Sequence, residues 1–154
     1  MNKKSSINSL FYDLDQASRI CRLFGEQNFK KNCKHDLVFD EFLILDYVTL
    51  NPECCQMDLT NALLKGKSHV SKILNQLAKK GYVKRIQDTK NNRIIKKIII
   101  TDNGNKIFKD TELQMKKILS VIEETLDKAE VERCRKFLQN IKQAIKDTNY
   151  INLD

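Results

Sequence analysis

Residues 67–104 read KSHVSKILNQLAKKGYVKRIQDTKNNRIIKKIIITDNG, and two periodicities meet inside that stretch. Val70, Ile73, Leu74, Leu77 and Ala78 recur at helical steps, which predicts an amphipathic helix over residues 67–80. Gly81 ends it as a residue free to take a positive φ, and the lysines before it suit the negative end of the helix dipole. The period then changes. Tyr82-Val83-Lys84-Arg85-Ile86 and Ile94-Ile95-Lys96-Lys97-Ile98-Ile99-Ile100 are β-prone, and Asp88-Thr89-Lys90-Asn91-Asn92 between them is turn chemistry. A helix running into a β-hairpin with a polar, basic tip is predicted.

Upstream, Leu59 and Leu63 mark a short helix over residues 55–64, and Phe42, Leu45 and Val48 mark another over residues 40–50, closed by Pro52. Leu10, Leu14, Ala17, Cys21 and Phe24 form one stripe of a long first helix. Downstream, helix resumes after Thr101-Asp102-Asn103-Gly104, with Phe108, Met115, Leu119, Ile122 and Leu126 on one face. A last helix repeats Val131, Cys134, Leu138, Ile141 and Ile145, a seam for another helix, in the same subunit or in a second one. This order predicts a mainly α fold with a small β-hairpin wing. A winged helix-turn-helix domain (residues 36–103) is expected between an N-terminal dimerisation helix (1–35) and C-terminal dimerisation helices (104–154). The flanking apolar stripes exceed what one winged lobe can cover, which favours a homodimer.

Composition narrows the function. Only 4 glycines and 1 proline stand among 154 residues, which argues against a sandwich of many short strands. The longest apolar run, Phe42-Leu43-Ile44-Leu45, is far below the roughly 20 residues of a membrane span, and the start carries no secretory pattern. A cytoplasmic protein with no membrane partner is expected. No Gly-rich phosphate loop, Gly-x-Ser-x-Gly or His-Glu-x-x-His occurs, so no enzyme and no cofactor are expected. The net charge is +8, yet residues 65–97 alone carry +10 and the rest of the chain −2. Residues 36–64 hold six acids and no lysine or arginine. Charge this localised is the footprint of a polyanion-binding face. The outer face of the 67–80 helix offers Lys67, Ser68, His69, Ser71, Lys72, Asn75, Gln76 and Lys79 to phosphates and base edges of double-stranded DNA. The wing adds Lys90, Asn92 and Arg93 toward the adjacent backbone or minor groove.

At Leu59-Thr60-Asn61-Ala62-Leu63, Lys67 to Leu77, Lys79-Lys80-Gly81-Tyr82-Val83-Lys84-Arg85 and Ile100-Thr101-Asp102-Asn103-Gly104, the chain resembles the multiple-antibiotic-resistance regulator (MarR) family. The resemblance covers about residues 37–110. It implies a homodimer with interlocking first and last helices and two winged lobes on an inverted-repeat operator. It also implies a repressor released by a small aromatic or phenolic effector, bound between the helical base and the winged lobe, or by thiol oxidation. Two departures stand out. The family's wing Asp-x-Arg reads Asn91-Asn92-Arg93 here, and Lys65 takes a position that is commonly apolar.

The five cysteines are odd in number and irregularly spaced, so reduced thiols are expected. Cys54 and Cys55, after Pro52, are expected in a loop as the exposed thiols and redox candidates, with Cys21 as a third. Cys21 and Cys134 otherwise read as small buried core residues. Cys33 and His35 are too few ligands for a dedicated zinc site. Two other functions fit the same fold: an RNA-binding winged helix, and a protein-interaction module without an operator.

Overall fold

A computed structural model of the chain describes residues 7–90, 93–148 and 150, with the side chains of residues 7, 8, 90 and 93 outside the described set. The described elements run α1 (Ile7–Asn32), α2 (Phe39–Leu50), α3 (Gln56–Leu63), α4 (Lys67–Lys79), β1 (Val83–Lys90), β2 (Arg93–Ile100), α5 (Asp102–Glu123) and α6 (Lys128–Asp147).

In α4, Val70, Ile73, Leu74 and Leu77 are all buried, as their spacing requires. The helix stops at Gly81, whose φ is +73°. Gly81 N–H donates to Ala78 O at 3.0 Å and Tyr82 N–H donates to Leu77 O at 2.9 Å. These two bonds satisfy carbonyls that the helix end would otherwise leave open. The turn sends the chain straight into β1, which pairs antiparallel with β2 from Val83↔Ile100 to Lys90↔Arg93. The ladder therefore continues through Asp88, Thr89 and Lys90, residues whose polarity reads as turn. Their partners Ile95, Ile94 and Arg93 prolong the pairing, and only residues 91 and 92, outside the described set, lie between the strands.

A third extended piece joins this hairpin. Cys55 bridges to Lys97, and Ile98 N–H donates to Cys54 O at 2.9 Å. The expected loop at residues 54–55 is thus tied to the sheet. Cys54 is only 4% exposed, which corrects its reading as an exposed thiol.

The start of α5 is also shifted from expectation. Thr101 caps the helix by accepting Gly104 N–H at 3.0 Å, and its hydroxyl donates to Gly81 O at 2.6 Å. Residues 102–104 are the first turn of the helix and not a break before it. A Cβ on Gly104 would stand 2.0 Å from Tyr82 O, so the absent side chain lets α5 begin against the turn that ends α4.

Ile44, Leu45 and Val48 of α2, Leu59 of α3, Leu74 and Leu77 of α4, and Val83 and Ile98 of the hairpin form the core. Burying each contributes roughly 1.5–3 kcal/mol. Phe29 of α1 and Phe108 and Met115 of α5 belong to the same cluster. The Phe29, Phe42 and Phe108 rings follow one another at 5.4 and 5.5 Å. Beyond this core the apolar stripes stay open. No described residue of α6 is buried, and Ile20, Leu23, Leu119, Phe137 and Leu138 are exposed. Cys21 and Cys134, expected to be buried, are exposed for the same reason: one chain does not cover their stripes. No helix among the described residues is long and apolar enough to cross a membrane.

Candidate nucleic-acid interface

The burial of one face of α4 dictates what the other presents. Lys67, Ser68, Ser71, Lys72, Asn75, Gln76 and Lys79 line one open groove, joined by Gln56 of α3. Gln56 Nε2 donates to Lys67 O at 3.3 Å and holds the two helices in register there. The N-terminal turn of α4 has Gly66 as its cap, no side-chain cap bond and no acid. Its backbone N–H groups and the positive end of its dipole are therefore open to an anion.

Arg85, expected in the first strand of the hairpin but not among the DNA contacts, belongs to this face. Its Nη1 donates to Asn75 Oδ1 at 2.8 Å and its Nη2 reaches Ser71 O at 3.5 Å. The first β-strand thus orients a polar side chain in the middle of the helix. Arg85 stands at a fixed place after Gly81 in the helix-to-strand motif, and that was the available signal.

His69, expected among the DNA contacts, leaves the groove. Its Nε2 lies 3.3 Å from Asp40 Oδ2, and Lys65 Nζ donates to the same oxygen at 3.1 Å. Asp40 Oδ1 accepts from Arg22 Nη2 of α1, and the Arg22 guanidinium also stands over the Phe39 ring. Burial pushes the Asp40 carboxyl up. The hydrogen bonds from Arg22, Lys65 and His69 outweigh it and hold the group down at about 2. This node joins α1, the start of α2 and the start of α4.

The other end of α4 is held by the next residue along. Glu41 is 1% exposed. Its Oε2 accepts Val38 N–H at 3.0 Å and Lys80 Nζ at 2.8 Å. Lys80 also donates to Asp36 O at 3.1 Å. Burial lowers the Lys80 pKa, and its bonds to Glu41 and Asp36 more than reverse this. Lys97 is likewise taken up, by Asp88 at 2.6 Å and Glu53 at 3.1 Å. The +10 stretch therefore overstates the charge offered to a polyanion, because Lys65, Lys80 and Lys97 sit in ion pairs. Lys67, Lys72, Lys79, Lys84, Arg85 and Lys96 are exposed, and no ion pair among the described residues reaches them. Asn92 and the side chains of Lys90 and Arg93 lie outside the described residues.

Burial, then the charges of Asp58 and Cys55, push the Cys54 thiol up to about 11, the opposite of what a redox nucleophile needs. Cys55 is half-buried and Cys21 exposed. Cys33 and His35 face different partners. The Cys33 thiol donates to His35 O at 3.6 Å, and His35 Nε2 lies 3.6 Å from Asp110.

Residues 35–94 match the model of the MarR family. The HTH-type transcriptional regulator BilQ of Clostridioides difficile (strain CD3) is 26% identical over 96 residues, which is 59% of this chain and 63% of that regulator. The chain thus matches less than two thirds of that relative's length. Among solved structures, the transcriptional regulator BldR of Sulfolobus solfataricus superposes with a TM-score of 0.73 at 20% identity, over 91% of this chain and 99% of that one. The MepR–DNA complex of S. aureus superposes with a TM-score of 0.71 at 19% identity, over 94% and 99%. These likenesses extend the winged-helix fold to the flanking helices.

Proposed function

We propose that this chain, whose residues 35–94 match the MarR family, is a winged-helix transcriptional regulator that binds an inverted repeat in double-stranded DNA as a homodimer and represses from there. One observation carries the proposal. The outer face of α4 gathers seven polar and cationic side chains in one open groove, ending at an uncapped helix N-terminus without acids. Such a helix fits the major groove, with Asn75, Ser71 and Gln76 at base edges and Lys67, Lys72 and Lys79 toward phosphates. Lys90, Asn92 and Arg93 of the wing would reach the flanking backbone or minor groove. The similar MepR was solved with DNA, which supports the same docking here.

The dimer uses the stripes that one chain leaves open on α1, α5 and α6. Release comes from a small effector bound between these helices and the winged lobe. The redox route narrows to Cys55 and Cys21.

The test is selection of bound genomic fragments, followed by fluorescence anisotropy on the selected site. A dimer neutralising about 6–10 phosphates loses roughly 10³–10⁵-fold in affinity between 50 and 200 mM salt. Asn75→Ala changes the selected sequence, at roughly 1–3 kcal/mol where a base edge is read. Lys90→Ala weakens all duplexes alike. Equal affinity for every duplex, or a preference for single-stranded RNA loops, refutes the proposal.

A further inference from the structure

Between α1, α2 and α5 lies a half-open pocket of about 330 Å³. Phe24, Phe42 and Met115 are among its apolar walls, and Asp46, Glu112 and Lys116 are its charged lining. The charges do not cancel. Lys116 Nζ lies 2.6 Å from Glu112 Oε1, so its charge is taken. Asp46 receives no hydrogen bond and no ion pair from any described residue. Burial, then the neighbouring Glu112 charge, push the Asp46 carboxyl above its ordinary range, while Lys116 only partly offsets them. A half-buried carboxylate without a donor is costly to keep, and a cation brought to it recovers that cost.

We propose that this cavity binds a small aromatic cation, an amine or quaternary ammonium, with its charge at Asp46 and its ring against Phe24, Phe42 and Met115. The inference rests on the effector-released regulator proposed above and assigns the chemical class of that effector. The lining selects the sign. A phenolate or aromatic carboxylate would bring a second negative charge beside Asp46 and Glu112 in a site of low polarisability, where like charges repel strongly. A cation gains from Asp46 and also from the faces of the aromatic walls. The size is right for a single-ring ligand, at the lower end of the roughly 300–1,000 Å³ of small-molecule pockets. The position is right for control. The same α2 that carries Asp46 carries Asp40, which holds Lys65 and His69 at the start of α4.

The experiment titrates the full-length protein with benzyltrimethylammonium, benzyl alcohol and salicylate by calorimetry at pH 7.5. The cation is expected to bind at least tenfold more tightly than the neutral or the anionic ring. Asp46→Asn is expected to weaken the cation at least tenfold and leave benzyl alcohol unchanged, with unaltered circular dichroism. Salicylate binding as tightly as the cation overturns the proposal, and that comparison needs no variant. So does a cation affinity indifferent to Asp46→Asn. If the cation fails to bind and Asp46→Asn instead raises the dimer dissociation constant, the charge is met by a second copy of the chain and the cavity is no effector site. A parallel anisotropy titration on the selected DNA reads release. A protein that binds the cation but no DNA refutes the regulator and leaves the cavity's chemistry standing.

Discussion

Replacing Asp40 with asparagine keeps the shape of the side chain and removes its charge. What that charge contributes can be worked from its surroundings. The carboxyl is held at about 2 against an ordinary 3.8. At about 1.36 kcal/mol per tenfold in acidity, the native surroundings, with the cost of burial already subtracted, stabilise the ionised form by roughly 2.5 kcal/mol. Arg22 and His69 are partly open to water, which trims this to roughly 1–2 kcal/mol. The sign follows from the direction of the shift. A carboxyl depressed in the folded state adds its full stability above its unfolded pKa and loses it as the pH falls toward the folded one. Asp40→Asn should therefore be less stable than the parent by about 1–2 kcal/mol at pH 7. The two proteins should converge as the pH drops from about 5 to about 2. The chain has no tryptophan, so urea unfolding followed by far-ultraviolet circular dichroism at pH 7, 5, 4 and 3 is the suitable assay. Equal stability at pH 7 would show that the node adds nothing. A gap as wide at pH 3 as at pH 7 would assign the effect to packing and refute the electrostatic account.

Gly104→Ala puts a Cβ where Tyr82 O already stands, 2.0 Å away, and should cost about 3 kcal/mol or more in thermal or urea unfolding. Lys80→Met strands the buried Glu41 carboxylate and should cost roughly 3 kcal/mol, and adding Glu41→Gln should recover much of that loss. A Cys54 thiol at about 11 is ionised to roughly one part in a thousand at pH 8. Mass-spectrometric mapping should show Cys54 alkylated at least about 100-fold more slowly in the native protein than in urea. The salt dependence of DNA binding should separate exposed from paired lysines. Lys72→Met should flatten the slope by about 0.9 per lost phosphate contact, or about 2 per dimer, and Lys97→Met should leave it unchanged.

The parts of this molecule visible in its sequence are those whose physics is local. The spacing of Val70, Ile73, Leu74 and Leu77 is enough to define α4, and Gly81 closes it because the stop needs a positive φ next to the last turn. The β-branched run at residues 94–100 announces its strand in the same way. The open stripes of α1 and α6 were legible too, since an apolar seam needs cover whether or not the chain supplies it. What periodicity cannot carry is a contact between distant residues. Asp40 meets Lys65 and His69 across 25 and 29 positions, and no local pattern marks an aspartate at a helix start as the partner of a histidine on another helix. Cys54 and Cys55 show no alternation, because a two-residue bridge is too short to have one. Gly104 reads as a breaker, and only its distance to Tyr82 shows it to be a point of close approach.

The acidic segment ahead of the basic one then acquires a cause. Asp40 and Glu41 are adjacent at the start of α2, yet they hold opposite ends of α4: Asp40 takes Lys65 and His69 before and within its first turn, and Glu41 takes Lys80 just after its last. Glu53 takes Lys97 of the wing. Each of these acids takes a basic side chain that does not line the groove, while Lys67, Lys72 and Lys79, which do line it, stand exposed. The charge separation along the chain is therefore a device of assembly as well as of binding. Oppositely charged segments fasten α4 at both ends to α2, so that the helix is presented rigidly, and the cations left over are those that line the groove. A lysine moved from the outer face of α4 to one of these paired positions would keep the net charge and lose part of the face, which is why composition alone could locate the basic stretch without distinguishing its structural from its binding lysines.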